Sequence, residues 1–172
     1  MNSGSENERP LSNEWDAWLS RHSPGMLLFA RQQARCEADA QDLVQDSVIE
    51  SWQRDGGDGP PALGLVYATI RRRAVDLARS HDRRVAREHK TSSEIPACWF
   101  DTSVEEHERT LLIEHAMRAL PAIYREVLTL KIWSGLTFAE IAETLEVPAN
   151  TAASRYRYGL AELRKLTKEV FA

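Results

Sequence analysis

Asn150, Thr151, Ser154, Arg155, Arg157, Tyr158 and Lys165 lie close together in a stretch where five basic groups face one acid between positions 150 and 168, a net of +4. Side chains of these types donate hydrogen bonds and positive charge. That chemistry suits phosphate oxygens and the edges of bases. At helical spacing Asn150, Thr151, Ser154, Arg157, Tyr158, Ala161 and Lys165 share one side, with no acid among them. Ala152, Tyr156, Gly159 and Leu163 share the opposite side, and Arg155 lies at the flank, within reach of a phosphate or an internal acid. A second basic run holds Arg71, Arg72, Arg73, Arg79, Arg83, Arg84 and Arg87. Between positions 71 and 90 there are eight basic groups against three acids, a net of +5. Residues 1 to 58 carry five Arg against eleven acids, a net of −6. The total of −4 therefore hides two separate places at which a polyanion is attracted.

The elements that must position these groups read as helices throughout. Asn13 caps a first helix holding Trp15, Trp18 and Leu19, and Ser23-Pro24 restarts the chain into MLLFARQQARC. ADAQDLVQDSVIESWQR stays helical over 38–54 until DGGDGPP breaks it. Pro60-Pro61 opens a long helix through LGLVYATIRRRAVDLARSH. The pattern dissolves over 89–103, which reads as a linker whose Cys98, Trp99 and Phe100 dock on something. Ser103 and Glu106 form one capping box, and Pro121 restarts the chain into PAIYREVLTLKIW. Thr137 and Glu140 form a second capping box. It opens a short helix with Phe138, Ile141, Ala142 and Leu145 at helical spacing. Val147-Pro148 separates that helix from the long basic one, the layout of a helix-turn-helix. The expected fold is all-α: a tail over 1–12, a helical domain over 13–88, a linker over 89–103 and a helix-turn-helix domain over 104–172.

In this order the segments resemble sigma-70-type RNA polymerase sigma factors of the extracytoplasmic-function group, which have regions two and four only. LTFAEIAETLEVPANTAASRYRYGLAELR is similar to region four, and LPAIYREVLTLKIW to the helices leading into it. DAQDLVQDSVIESWQR is similar to the part of region two that grips core polymerase. VYATIRRRAVDLARSHDRR is similar to the part that melts and reads the −10 element. The resemblance implies binding of core RNA polymerase and promoter DNA and initiation of transcription. It assigns the residues around 150–165 to the −35 element and the seven arginines of 71–87 to the −10 element.

On 38–54, Asp42, Asp46, Ile49, Glu50 and Gln53 share a side with Gln45 nearby, while Val44, Val48 and Trp52 turn inward. Spacing alone makes this a solvated acidic face. The resemblance makes it a docking face for the β′ coiled coil, with the β subunit and an anti-sigma factor as further partner classes. Arg72, Glu146, Ala153 and Tyr158 depart from the family pattern, Glu146 in place of a turn glycine. Between Tyr67 and Trp99 the only rings are His81 and His89, so strand opening relies on capture of one or two bases and on a good promoter.

A stand-alone helix-turn-helix regulator is the alternative reading, although no dimerisation heptad accompanies it. His107 and His115 do not make HExxH, and no glycine-rich phosphate loop is present. Asp39, Asp42 and Asp46 suit a solvated or docking face better than a magnesium site. Cys36 and Cys98 show no ligand spacing. The expectation is no enzyme, no metal and no cofactor. No apolar run nears the roughly 18 residues that span a bilayer and MNSGSENERP is no signal peptide, so the expected location is the cytoplasm.

Overall fold

A computed structural model describes residues 9–88, 98–100 and 107–171. Its described residues form seven helices: α1 (Arg9–Arg31), α2 (Glu37–Arg54), α3 (Leu63–Glu88), α4 (His107–Ala119), α5 (Ala122–Ile132), α6 (Phe138–Leu145) and α7 (Ala149–Phe171). No helix is long and apolar enough to cross a membrane among the residues described. The capping box at Ser103 and Glu106 and most of the linker lie outside the described residues.

The expected restart at Ser23-Pro24 is corrected: α1 runs through Pro24 without a break. An interior proline removes one backbone hydrogen bond and costs about 3 kcal/mol. Burial outweighs it, because Met26, Phe29 and Ala30 beyond the proline are fully buried and Trp18 before it packs on the same core. Each such side chain contributes about 1.5–3 kcal/mol.

On α2 the inward face also differs from the expectation. Ala40, Leu43, Ser47 and Ser51 are buried, Val44 and Val48 are half-buried, and Trp52 is 37% exposed. Small polar residues replace bulky ones because α2 packs closely on α3, where the Ser51 hydroxyl donates to Thr69 Oγ1 at 3.2 Å. Thr69 in turn donates to the Leu65 carbonyl at 2.8 Å. A hydrophobicity pattern does not register a stripe of serines.

Helices α1–α3 and α4–α7, expected as loosely tethered bodies, are packed on one another. One core joins Phe29, Leu43, Val66, Tyr67 and Ile70 to Val127, Leu130, Leu136, Ile141 and Leu145. Gly25 of α1 makes the junction possible. A Cβ there would lie 2.8 Å from the Tyr67 hydroxyl and 3.1 Å from the Trp133 carbonyl oxygen. Trp99 docks as the sequence suggests, 5% exposed among Leu28, Met117, Leu120 and Leu128. Its N–H donates to Glu114 Oε2 at 3.0 Å, and Arg31 donates to its carbonyl at 3.3 Å. The Arg118 and Arg125 guanidiniums sit 4.1 and 5.2 Å from its ring. Of the two free cysteines, Cys36 is half-buried and Cys98 is exposed.

Candidate nucleic-acid interface

The second capping box is formed. The Glu140 N–H donates to Thr137 Oγ1 at 3.2 Å, and the Thr137 N–H donates back to Glu140 Oε2 at 2.7 Å. The backbone hydrogen bond from Thr137 is the main cause holding the Glu140 carboxyl below its ordinary range, and the Thr137 hydroxyl adds to it. α6 then stops at Glu146, which takes the left-handed conformation at φ 55° despite its side chain. The Val147 N–H donates to the Ala142 carbonyl at 2.9 Å, which closes the helix end. The turn that ordinarily favours glycine is thus kept with a glutamate in it.

α7 is held from behind. Ala152 is fully buried, Tyr156 stacks edge-on against Phe138 at 5.5 Å, and Gly159 lies flush on α5. A Cβ at Gly159 would come within 3.1 Å of Tyr124 Cβ and 3.3 Å of Leu128. These contacts fix which face of α7 looks outward. Asn150, Arg157, Tyr158 and Lys165 are exposed on it, and Thr151, Ser154 and Arg155 are half-buried. Tyr158 is 63% exposed, and Arg157 Nη2 lies 3.5 Å from Ser154 Oγ. Lys165 reaches Glu162 at 3.7 Å, a loose surface pair. The expected outer face is assembled as one surface.

The arginines of α3 are divided among different surroundings. Arg71 donates to Glu126 of α5 at 3.4 Å. Arg72 pairs with Glu50, and Arg73 pairs with Asp46 and with Glu50, the last at 3.0 Å. Arg79 is exposed, 3.9 Å from Asp76, and Arg83 is exposed. Arg84 and Arg87 lie on α3 with side chains outside the described residues. Asp46 and Glu50, expected on a docking face, and Arg72 and Arg73, expected at the −10 element, form one ion-pair network across α2 and α3. Asp46 and Glu50 are therefore not free, whereas Asp42, Gln45 and Gln53 are exposed and Ile49 is 47% exposed. Arg72 itself is a surface residue in this network, so its departure from the family pattern leaves the packing of α3 intact.

Sequence reasoning missed an apolar wall beside the face expected to dock. Trp15, Leu19 and Leu27 of α1 and Val44, Val48 and Ile49 of α2 line an apolar groove, with Gln45 also on it. The tryptophan and leucines were legible as helical spacing. Their juxtaposition with α2 was not, because the supposed break at Pro24 separated Trp15 and Leu19 from Leu27. Among the described residues no three His, Cys, Asp or Glu side chains are grouped to hold a metal.

Residues 18–84 match the family model for sigma-70 region 2, and residues 110–171 match that for sigma-70 region 4. The RNA polymerase sigma-E factor of Streptomyces avermitilis is 26% identical over 152 residues, 88% of this chain and 84% of its own. The extracytoplasmic-function RNA polymerase sigma factor SigL of Mycobacterium tuberculosis is 26% identical over 157 residues, 90% of this chain and 89% of its own. The solved sigma factor RpoE from Bartonella quintana, in complex with the anti-sigma factor NepR, superposes with a TM-score of 0.65 at 20% identity. It covers 91% of this chain and 98% of its own. With region 2 and region 4 matched in order and the helix-turn-helix assembled behind its basic face, the chain belongs to the sigma-70 family, in the two-region form of the extracytoplasmic-function sigma factors.

Proposed function

We propose that this sigma factor binds core RNA polymerase through the α1–α2 groove and brings it to promoters, with α7 on the −35 element and α3 on the −10 element. The observation that carries the reading is the acid-free outer face of α7, with Asn150, Arg157 and Tyr158 exposed on a helix whose other face is locked. A helix so held enters the major groove with Ser154, Arg155 and Arg157 toward phosphates and base edges. The comparisons favour this reading over a stand-alone regulator, since they span both modules.

On α2, Asp42, Gln45, Ile49 and Gln53 surround the apolar groove and meet a helical partner, the β′ coiled coil, with region four approaching the β subunit. A basic partner that engages Asp46 and Glu50 releases Arg72 and Arg73 toward DNA. Core binding and −10 binding then reinforce one another. Arg79 and Arg83 meet phosphates first, and Arg84 and Arg87 extend the strip. The protein contributes binding and strand opening, works in the cytoplasm, and offers the same groove to an anti-sigma factor.

Copurification with core polymerase followed by run-off transcription tests the reading. Gln45→Ala with Ile49→Ala is expected to weaken core binding, and Arg155→Ala with Arg157→Ala to cut initiation while core binding persists. A chain that binds promoter duplex as a dimer without core, and ignores core when it is supplied, sinks it.

A further inference from the structure

Tyr158 is the most exposed of the large apolar and aromatic side chains among the described residues, at 63%, and it stands on the outer face of α7. Burial does not hold the ring there, and the helix has no freedom to turn it inward. Tyr156, two residues earlier, stacks on Phe138. Gly159, the next residue, lies against α5, where an added Cβ would meet Tyr124 Cβ at 3.1 Å. Among the described residues no hydrogen bond, ion pair or ring contact ties Tyr158 to the rest of the chain. The ring is therefore presented to whatever α7 meets.

Its surroundings narrow the chemistry of that contact. Residues turn by 100° along a helix, which sets Tyr158 beside Thr151 and Ser154 of the preceding turns and Ala161 and Lys165 of the following ones. Long side chains on a helix lean toward its N-terminus, which carries the ring toward the Ser154 turn. Thr151, Ala153 and Ser154 are short and half-buried, so the ring stands above them. Arg157 lies on the other side of Ser154, its Nη2 3.5 Å from Ser154 Oγ. Glu162, the acid one turn further on, faces Lys165 at 3.7 Å.

We propose that Tyr158 reads a thymine, its ring packing on the 5-methyl group in the major groove and its hydroxyl meeting a phosphate oxygen. The proposal rests on the placement of α7 on the −35 element given above. A ring cannot form the bidentate pairs that single out guanine or adenine. A lone hydroxyl both donates and accepts, so it discriminates poorly among base edges. Thymine alone shows an apolar group in the major groove, and apolar side chains select it. By the same code Arg157 suits guanine and Asn150 suits adenine. Tyr158 adds a demand for thymine at one position of the element.

The test uses the full chain with core polymerase. Run-off transcription of genomic fragments first yields a promoter that the holoenzyme uses. Each thymine of its −35 region, on either strand, is then replaced singly by deoxyuridine, which lacks only the 5-methyl group. Holoenzyme binding is measured by competition with the unmodified duplex. At one position deoxyuridine is expected to weaken wild-type binding about fourfold, the worth of one buried methyl group. Tyr158→Ala is expected to bind the unmodified promoter more weakly and to be indifferent to deoxyuridine at that position, with its circular dichroism unchanged. Tyr158→Phe keeps the deoxyuridine effect, because the ring carries it.

A −35 region without thymine overturns the proposal. So does a wild-type holoenzyme indifferent to deoxyuridine everywhere, or an equal deoxyuridine loss at every position in wild type and Tyr158→Ala. A wild-type chain that never associates with core defeats the sigma-factor reading instead, and the thymine contact falls with it.

Discussion

Replacing Trp99 by alanine is the sharpest test of whether the connector belongs to the folded core. The indole is 5% exposed, packed against Leu28 of α1, Met117 of α4 and Leu128 of α5. A buried tryptophan removes about 150–250 Å² from water, worth roughly 4–6 kcal/mol at about 25 cal/mol per Å² as an upper bound. The guanidiniums of Arg118 and Arg125 over the ring contribute about 0.5–1 kcal/mol each. Burial is the main influence lowering the Arg125 pKa; Glu126 opposes the shift and Arg118 adds to it. Alanine keeps the backbone hydrogen bonds to Glu114 and from Arg31, so only the side-chain part is lost. Partial collapse of the site brings the net loss to about 4 kcal/mol, inside the range for Trp→Ala in cores. At about 2–4 °C per kcal/mol for a chain of this size, the midpoint falls by roughly 10 °C. Thermal melts followed by circular dichroism give the midpoint shift and urea titrations the free-energy loss, with Trp99→Phe as the milder companion at about 1–2 kcal/mol. A loss below about 1 kcal/mol refutes the docking of this segment against α1, α4 and α5.

Arg157→Ala is expected to weaken −35 recognition by the holoenzyme by about 1–3 kcal/mol and to lower the slope of log affinity against log salt by about 1, read by titrations at several salt concentrations. An unchanged slope places Arg157 away from phosphate. Glu37 accepts two hydrogen bonds from Arg31 at 2.8 Å, which hold its carboxyl below the ordinary value of about 4.5; its partial burial opposes this and Gln41 assists. A depressed folded-state value gives stability that is complete above about pH 4.5 and lost as the pH falls through the folded value. Glu37→Gln is therefore expected to lower stability at neutral pH and to flatten its decline in acid, checked by denaturant midpoints across pH. Glu146→Gly relieves a left-handed residue, a strain of about 1–2 kcal/mol, against a glycine entropy cost of about 0.5–1. A net gain of about 0.5–1 kcal/mol in thermal midpoint measurements is the expected result, and a loss contradicts it.

The long-range course of the chain was written in local patterns. Helical spacing placed α2, α5 and α6 within a residue or so of their observed positions, because their caps and breakers act on neighbours in sequence. The acid-free face of α7 was equally legible, since Ala152, Gly159 and Tyr156 repeat on the helical period and leave the polar side by subtraction. The aromatic pair Trp99-Phe100 announced that the connector would dock, though not onto what.

Tertiary structure alone decided the rest. α1 continues through Pro24 because buried side chains on both sides of it outweigh one missing hydrogen bond. Asp46 and Glu50 are bound to Arg72 and Arg73, residues more than twenty positions away whose charges no local rule brings together. Gly25 earns its place only where Tyr67 and Trp133 meet it. The packing of the two halves follows from the same source. An apolar strip tells a helix to bury itself, but the identity of the surface that covers it depends on every other strip in the chain.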